Sequence, residues 1–442
     1  MNYRALLLSF TSCLALMPFA GRAQWMPSPN TPIYVDAGAH SPLAAAAIAG
    51  DRAGLRAAAG NNPVLAAVAR SIDKRMSGDF DGSAGDAEGC FRQTIALGNK
   101  PDVALVCAQL WASSAVLQGD LLRWADITQS TWDQVRPQLV AITGKPNLTV
   151  KTLATAQAVR ALPGKGAMSV KRGTGNKTFP LAWQGQTRGP VSPRAYIDAV
   201  VDGKTVHMLV DTGSEVSVLS TRDARTAGIE TQKGGIPIRG MKDVSTAGNG
   251  LGFVNDLNVA NLTVRNARLL VVDTPDSILG MDLLGRMGEA VRIRKTSLDI
   301  LPSTAPEVRT CNGDIQITAD FTGFMEWALT FPVQIDGKRE MPFMDSGNNG
   351  YISLYADNSP LQTSSTRVPF TRRTINANKD TSYAPGKVSV ETGSKKVQAD
   401  LMIFPKTEQR IRWSLGSGVL NDFDIVMDLG GHHACLTPAM RR

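Results

Sequence analysis

The sequence predicts a mainly β protein of two pseudo-symmetric lobes, preceded by an α-helical N-terminal domain built on helical hairpins. Three observations predict it. From Ala195 onward, β-branched residues alternate with polar ones and Gly turns recur at short intervals, the mark of many short strands. A pattern in residues 202–219 returns in 336–354, so the β region reads as a duplication. Between about 42 and 142, apolar residues fall instead at helical spacing.

The bulk numbers admit this plan. A chain of 442 residues has room for roughly three domains of about 150 residues each. Its 43% hydrophobic and 19% charged residues are those of a globular protein with sizeable cores, which excludes a disordered chain. Residues 1–23 read as an export signal: Arg4, an apolar run from Ala5 to Phe19, a break at Pro18, then Gly21-Arg22-Ala23 for the peptidase. That run is too short to span a membrane, and no later stretch approaches about 20 apolar residues. Cys13 follows Phe10-Thr11-Ser12, a loose likeness to a lipobox with too few apolar residues before it, and reads as part of the apolar run. The protein is therefore expected to be exported, periplasmic or secreted.

Removing the signal leaves Cys90, Cys107, Cys311 and Cys435, and an even number in an oxidising compartment favours disulfides. Four cysteines allow three pairings. Cys90–Cys107, within one helical region, and Cys311–Cys435, bracketing the last domain, are preferred. The net charge is +8, near +6 without the signal, and the basic residues are scattered without interleaved aromatics, which argues against nucleic-acid binding.

Taken in order, residues 40–160 form the helical domain. In Pro101 to Gln118, the residues Val103, Val106, Cys107, Leu110, Ser114 and Leu117 share one face. Asp120 is placed to cap a second helix through Leu121, Trp124, Ala125, Thr128 and Trp132, completing a hairpin. Pro42 to Ala59 and Pro63 to Met76 look similar but are richer in Ala. The loose period and small-residue packing resemble a tetratricopeptide-type array, without its full repeat signature. Such a domain implies either a docking surface for a protein partner or a buttress or prodomain. Residues 161–193, with Lys165, Lys171, Arg172 and Lys177 among Gly and Pro, read as a basic linker. The first lobe then spans 194–305 and the second 306–442, with strands such as Tyr196–Val201, Val206–Val210 and Arg268–Val272.

The chemistry sits where a strand runs into a small polar turn. Leu209-Val210 leads into Asp211-Thr212-Gly213-Ser214, followed by Val216-Ser217-Val218-Leu219. Gly213 lets the backbone turn and approach closely, and Thr212 or Ser214 can hydrogen-bond around the carboxylate. About seventy residues later comes Ser277-Ile278-Leu279-Gly280-Met281-Asp282-Leu283-Leu284. The second copy has Asp336-Gly337-Lys338 before Asp345, as Asp202-Gly203-Lys204 precedes Asp211. It continues through Ser346-Gly347-Asn348 to Tyr351-Ile352-Ser353-Leu354, which mirrors Val216 to Leu219 after a one-residue insertion. Leu415-Gly416-Ser417-Gly418-Val419-Leu420 then matches Leu279 to Leu284.

Asp-Thr-Gly-Ser followed at this distance by Ile-Leu-Gly-Met-Asp-Leu-Leu resembles the retropepsin-like aspartic proteases, over about residues 195 to 302. The resemblance implies two acid-protease lobes with catalytic Asp211 and Asp345, one from each. Thr212, Gly213, Ser214, Ser346, Gly347 and Asn348 would support the turns, with Thr212 and Ser346 bracing them across the lobes. Ile278, Leu279, Gly280, Leu415 and Gly416 would pack beneath. Retropepsins obtain the second Asp by dimerising, whereas pepsin-like enzymes carry it in a second lobe, as this chain does. The implied substrate is a peptide or protein, with no cofactor and no metal. Gly234 to Phe253 and Arg367 to Val388 occupy the places where the family has a substrate-covering flap.

Two departures from the family pattern stand in the second lobe. Asn348 replaces the usual Ser, Thr or Ala, with an amide that can donate to the carboxylate, and Ser414 replaces the apolar residue before Leu415. They leave two other readings: a homodimer using Asp211 only, or a non-catalytic peptide-binding protein with a helical docking domain. Gly-x-Ser-x-Gly, His-Glu-x-x-His, Cys-x-x-Cys and P-loop motifs are all missing, and His432 and His433, adjacent on a strand, point to opposite faces.

Overall fold

Polar caps and glycines cut the N-terminal region into helices α1 Pro42–Ala49, α2 Arg52–Ala59, α3 Pro63–Met76, α4 Phe80–Leu97, α5 Pro101–Leu117, α6 Leu121–Thr143 and α7 Leu153–Ala161. The computed structural model describes residues 32–35, 41–98, 100–164, 166–175, 177–185, 190–233, 238–239, 244–245, 250–323, 327–357, 359–373, 378–393, 395–406 and 412–439. The expected export signal and Cys13 lie outside these residues.

Pro42 to Ala59, expected as one stretch, is two helices. Gly50 adopts φ +68° and ends α1, and Asp51 accepts from the Gly54 N–H to start α2. Asp120 caps α6 by accepting from the Arg123 N–H at 3.0 Å, and the helix runs past Trp132 and through Pro137 to Thr143. Consecutive helices pack on one another, and α5 is buried nearly all round, because α4, α6 and the first lobe enclose it. Val103 and Val106, expected on its buried face, are only half-buried. Cys90–Cys107 staples α4 to α5, and Cys311–Cys435 ties the start of the second lobe to its last strand.

The segment expected as a bare linker is instead pinned as edge strands. Ser169–Arg172 pairs with Leu262–Val272, Lys177–Pro180 with Ser297–Leu301, and Ala182–Gln184 with Arg194–Val201. Exposed Lys and Arg side chains suit edge strands with solvent on one face, which is why no apolar alternation marks them in the sequence.

Each lobe carries the same hairpin ahead of its Asp turn. Arg194–Val201 turns into Lys204–Val210 through Asp202 (φ +44°) and Gly203 (φ +80°), and Val333–Ile335 turns into Lys338–Glu340 through Asp336 (φ +48°) and Gly337 (φ +71°). Two positive φ values are what a tight two-residue hairpin needs, and Asp-Gly supplies them. In each lobe the hairpin Asp also holds a neighbouring strand: Asp202 accepts from the Asp256 N–H at 2.8 Å, and Asp336 from the Ser389 N–H at 2.7 Å.

Beyond the hairpins the lobes share a further pattern. Lys204–Val210 lies parallel to Ser277–Leu279, and Phe343–Met344 parallel to Trp413–Leu415. The sequence boundary near 305 does not separate two independent sheets. Ala290–Ile293 and Ser297–Leu301 join Phe423–Asp428 and His433–Pro438 in one five-stranded sheet, and a single apolar core runs through both lobes.

Candidate active site

Both Asp turns grow from the parallel pairs. The Asp211 N–H donates to the Leu279 carbonyl at 3.1 Å, and the Asp345 N–H to the Leu415 carbonyl at 2.9 Å. Ile278, Leu279 and Leu415 are buried beneath the turns. Gly280 and Gly416 follow at a close crossing: a Cβ on Gly280 would lie 2.5 Å from the Val216 carbonyl carbon, and one on Gly416 2.3 Å from the Gly350 oxygen. The second turn is one residue longer, since Val218 pairs with Ile278 while its counterpart Ser353 pairs with Ser414.

The two carboxyl groups meet: a Cβ on Gly213 would lie within 3.0 Å of both Asp345 Oδ1 and Asp211 Oδ1. The Gly213 N–H donates to Asp211 Oδ1 at 2.8 Å, the Gly347 N–H also reaches Asp211, and the Asn348 N–H donates to Asp345 Oδ1 at 3.1 Å. A Cβ on Gly213 would stand 2.6 Å from Asp345 Oδ1, and one on Gly347 2.4 Å from Asp211 Cγ. The approach of the turns therefore requires both glycines.

A reciprocal brace fixes that approach. Thr212 N–H donates to Ser346 Oγ at 3.0 Å and Ser346 N–H to Thr212 Oγ1 at 3.1 Å. Thr212 Oγ1 donates to the Met344 carbonyl at 2.9 Å, and Ser346 Oγ to the Val210 carbonyl at 2.8 Å. Both side chains are buried, so every donor and acceptor of the brace is spent within it.

Burial raises the Asp211 carboxyl above the ordinary carboxylate range, against the lowering effect of hydrogen bonds from Gly213, Asp345 and Gly347 and the field of Arg194. Glu215, on the same turn, is pushed up to about 8 by burial, and the carboxylates of Asp320, Asp211 and Asp282 add to this.

Three expected roles differ in detail. Ser214 Oγ donates to the Val216 carbonyl at 2.8 Å, shaping the chain after the turn. Asn348 reaches Asp345 through its backbone N–H, and its side-chain Oδ1 accepts from the Gly350 N–H at 3.0 Å. The Asn348 side chain thereby spans the extra residue of the second turn. Ser414 is buried with no hydrogen-bond partner for its hydroxyl.

Residues that no local pattern marked also serve the site. The Trp327 indole donates to the Thr212 carbonyl at 3.4 Å from 115 residues away. The entry to the first lobe straps the second turn: Val191 bridges to Gly350, Ser192 N–H donates to the Asn349 carbonyl, and Ser417 Oγ donates to the Pro193 carbonyl at 2.9 Å. Glu215 was visible, as a charged residue entering an apolar strand.

Among the described residues no group of His, Cys, Asp and Glu is placed to hold a metal ion. His432 sits in a turn at φ +64° with its ring against the Ser77 carbonyl, and His433 begins the last strand. Of the expected flaps, the backbone hairpin Ile238–Arg239 with Val244–Ser245 is described, while 234–237, 240–243 and 246–249 lie outside the described residues. In the second lobe Val368–Arg373 pairs with Asn378–Thr392, and 374–377 lie outside.

Two β lobes meeting at paired Asp-(Thr/Ser)-Gly turns define an acid-protease architecture. Residues 197–286, most of the first lobe, match the family model described as gag-polyprotein putative aspartyl protease. A retropepsin-like aspartic protease from Rickettsia conorii is similar over 31% of this chain and 94% of its own, at 21% identity and a TM-score of 0.20. Basic 7S globulin from soybean is similar over 60% of this chain and 95% of its own, at 10% identity and a TM-score of 0.35. No curated protein matches the sequence.

Proposed function

We propose that the protein is an exported aspartic endopeptidase that hydrolyses peptide bonds with a water activated between Asp211 and Asp345. The observation that carries this reading is the close-set carboxyl pair on two turns locked together by Thr212 and Ser346. Two carboxyl groups this close cannot both ionise, so they hold one proton between them. The ionised member takes a proton from water as the water oxygen bonds to the scissile carbonyl carbon. The protonated member gives its proton to the carbonyl oxygen. When the tetrahedral intermediate collapses, the C–N bond breaks, the amine leaves with a proton, and the pair again shares one. Export is supported by two disulfides, which persist in oxidising compartments. No described helix is long and apolar enough to cross a membrane.

The test is cleavage of an unfolded protein by the chain from Gln24 to Arg442 over roughly pH 3 to 7, beside Asp211→Asn. Acid-favoured cleavage that the variant lacks is the expected result. Undiminished cleavage by Asp211→Asn overturns the mechanism. Peptide binding without cleavage by either chain would favour the non-catalytic reading.

A further inference from the structure

The helical domain meets the protease at the underside of the first catalytic turn. Val116, Leu121, Trp124 and Val159 of the helices share one apolar core with Val216, Val218 and Ile278 of the first lobe. At the centre of the contact the α5–α6 turn covers Asp282. Gly119, at φ +73°, is so close that a Cβ there would lie 2.8 Å from Asp282 Oδ2. The other carboxyl oxygen works on the catalytic turn: Ser217 Oγ donates to Asp282 Oδ1 at 2.7 Å and itself accepts from the Gly280 N–H at 3.0 Å. The backbone completes the clasp, with the Met281 N–H on the Ser214 carbonyl at 2.9 Å and the Asp282 N–H on the Glu215 carbonyl at 3.1 Å.

Charge is complementary across the same contact. Arg286 of the first lobe lies in the field of Asp282 and of Asp120 and Asp81 of the helical domain, and Arg268 in that of Asp120 and Asp126. A second anchor reaches the other lobe. Arg75 of α3, buried among helices, donates to the Ala319 and Asp320 carbonyls, each at 2.8 Å, and to Ser113 Oγ at 3.2 Å. A removable leader would leave Val216, Val218, Ile278 and the Asp282 carboxyl open to water when it departed.

We propose that Asp282 is a positioning residue for peptide hydrolysis, and that the helical domain is a resident part of the catalytic lobe because its α5–α6 turn closes over that carboxyl. Asp282 acts through Ser217 and Gly280 on the chain that leaves Asp211, and it touches neither substrate nor water. The proposal rests on the endopeptidase reading for its kinetic effect but not for its structural one.

The experiment therefore has two readouts on the full chain: cleavage kinetics, and amide hydrogen exchange over residues 211–219. Asp282→Ala should lower kcat about tenfold or more with little change in KM, because a loosened turn misplaces the carboxyl without altering the subsites. Asp282→Asn, which can still accept from Ser217, should recover most of that loss. Gly119→Ala, made wholly within the helical domain, should resemble Asp282→Ala. In Asp282→Ala and Gly119→Ala the loss should be matched by faster exchange over 211–219 and unchanged exchange over Phe423–Asp428, and Asp282→Asn should stay near the wild type in both. Wild-type kcat in Asp282→Ala, or unchanged or uniformly faster exchange in Asp282→Ala or Gly119→Ala, overturns the proposal. If the unaltered chain cleaves nothing, the endopeptidase reading fails, and the exchange data still decide the positioning role. If Asp282→Ala does not fold, Gly119→Ala decides it by the same readouts.

Discussion

The two Asp turns are built alike where they face each other and differently where they face away. Between the turns, Thr212 and Ser346 each donate twice in mirror order, and Gly213 and Gly347 make the same close approach. Behind the cleft, the first turn is clasped by Ser217 and Asp282 under the helical domain, with Glu215 beside it. The second has Gly418 in the place of Asp282, an extra residue spanned by Asn348, and the strap from Ser192 and Pro193. The close meeting of the two turns fixes what lies between them. What supports it from behind is free to diverge once each half has its own neighbours.

The sharpest way to break this comparison is through the brace. Thr212→Val and Ser346→Ala each remove a hydroxyl that makes two buried bonds, and each should cost on the order of 2 kcal/mol of stability. Each should also lower kcat about ten- to hundredfold. Chemical denaturation and steady-state kinetics will show equal effects if the lobes contribute equally. A harmless Ser346→Ala beside a crippling Thr212→Val would show that the second turn is only a scaffold.

A second contrast concerns charge behind the turns. Burial pushes Glu215 up to about 8 and Asp282 to about 6, whereas the second turn has no carboxyl in either place. A carboxyl whose folded pKa is raised favours folding below its unfolded pKa, and that contribution is lost as pH rises toward the folded pKa. Stability should therefore decline from about pH 4.5 toward pH 8. Glu215→Gln stays neutral throughout. It should match the wild type near pH 4 and be more stable near pH 7.5 by on the order of 2 kcal/mol, read as a higher melting temperature. A variant less stable at both pH values would place the ionised Glu215 in a favourable contact.

The smallest expected effect is at Ser414. Its buried hydroxyl has no partner, while Ile278 fills the matching place in the first lobe. Ser414→Ala should be neutral or stabilise by up to about 1 kcal/mol in denaturant unfolding. A loss above about 1 kcal/mol would show that the hydroxyl makes a bond through water.

What was legible in the sequence follows from range. Asp211-Thr212-Gly213 and Leu279-Gly280 are local motifs, and their repetition at Asp345 and Leu415 exposed the duplication. The repeated Asp-Gly-Lys was legible as part of the same duplication, and the structure shows each Asp-Gly to be a two-residue hairpin turn. Ser169–Arg172 and Lys177–Pro180 were read as linker because edge strands with solvated Lys and Arg carry no apolar period. Trp327 to Thr212 and Arg75 to Asp320 join distant positions through tertiary packing, and no spacing rule reaches them. The cover of Gly119 over Asp282 was hidden likewise, because it unites two domains that the sequence could only list in order.

The central claim is that one chain supplies both members of the dyad, and Asp345→Asn tests it most directly. Cleavage should be measured at the acidic optimum beside the wild type, with folding checked by melting temperature. A folded variant that has lost at least about a thousandfold in kcat is the predicted result. A folded Asp345→Asn that cleaves at the wild-type rate would contradict the single-chain dyad, and would leave Asp211 to find its partner in a second copy of the chain.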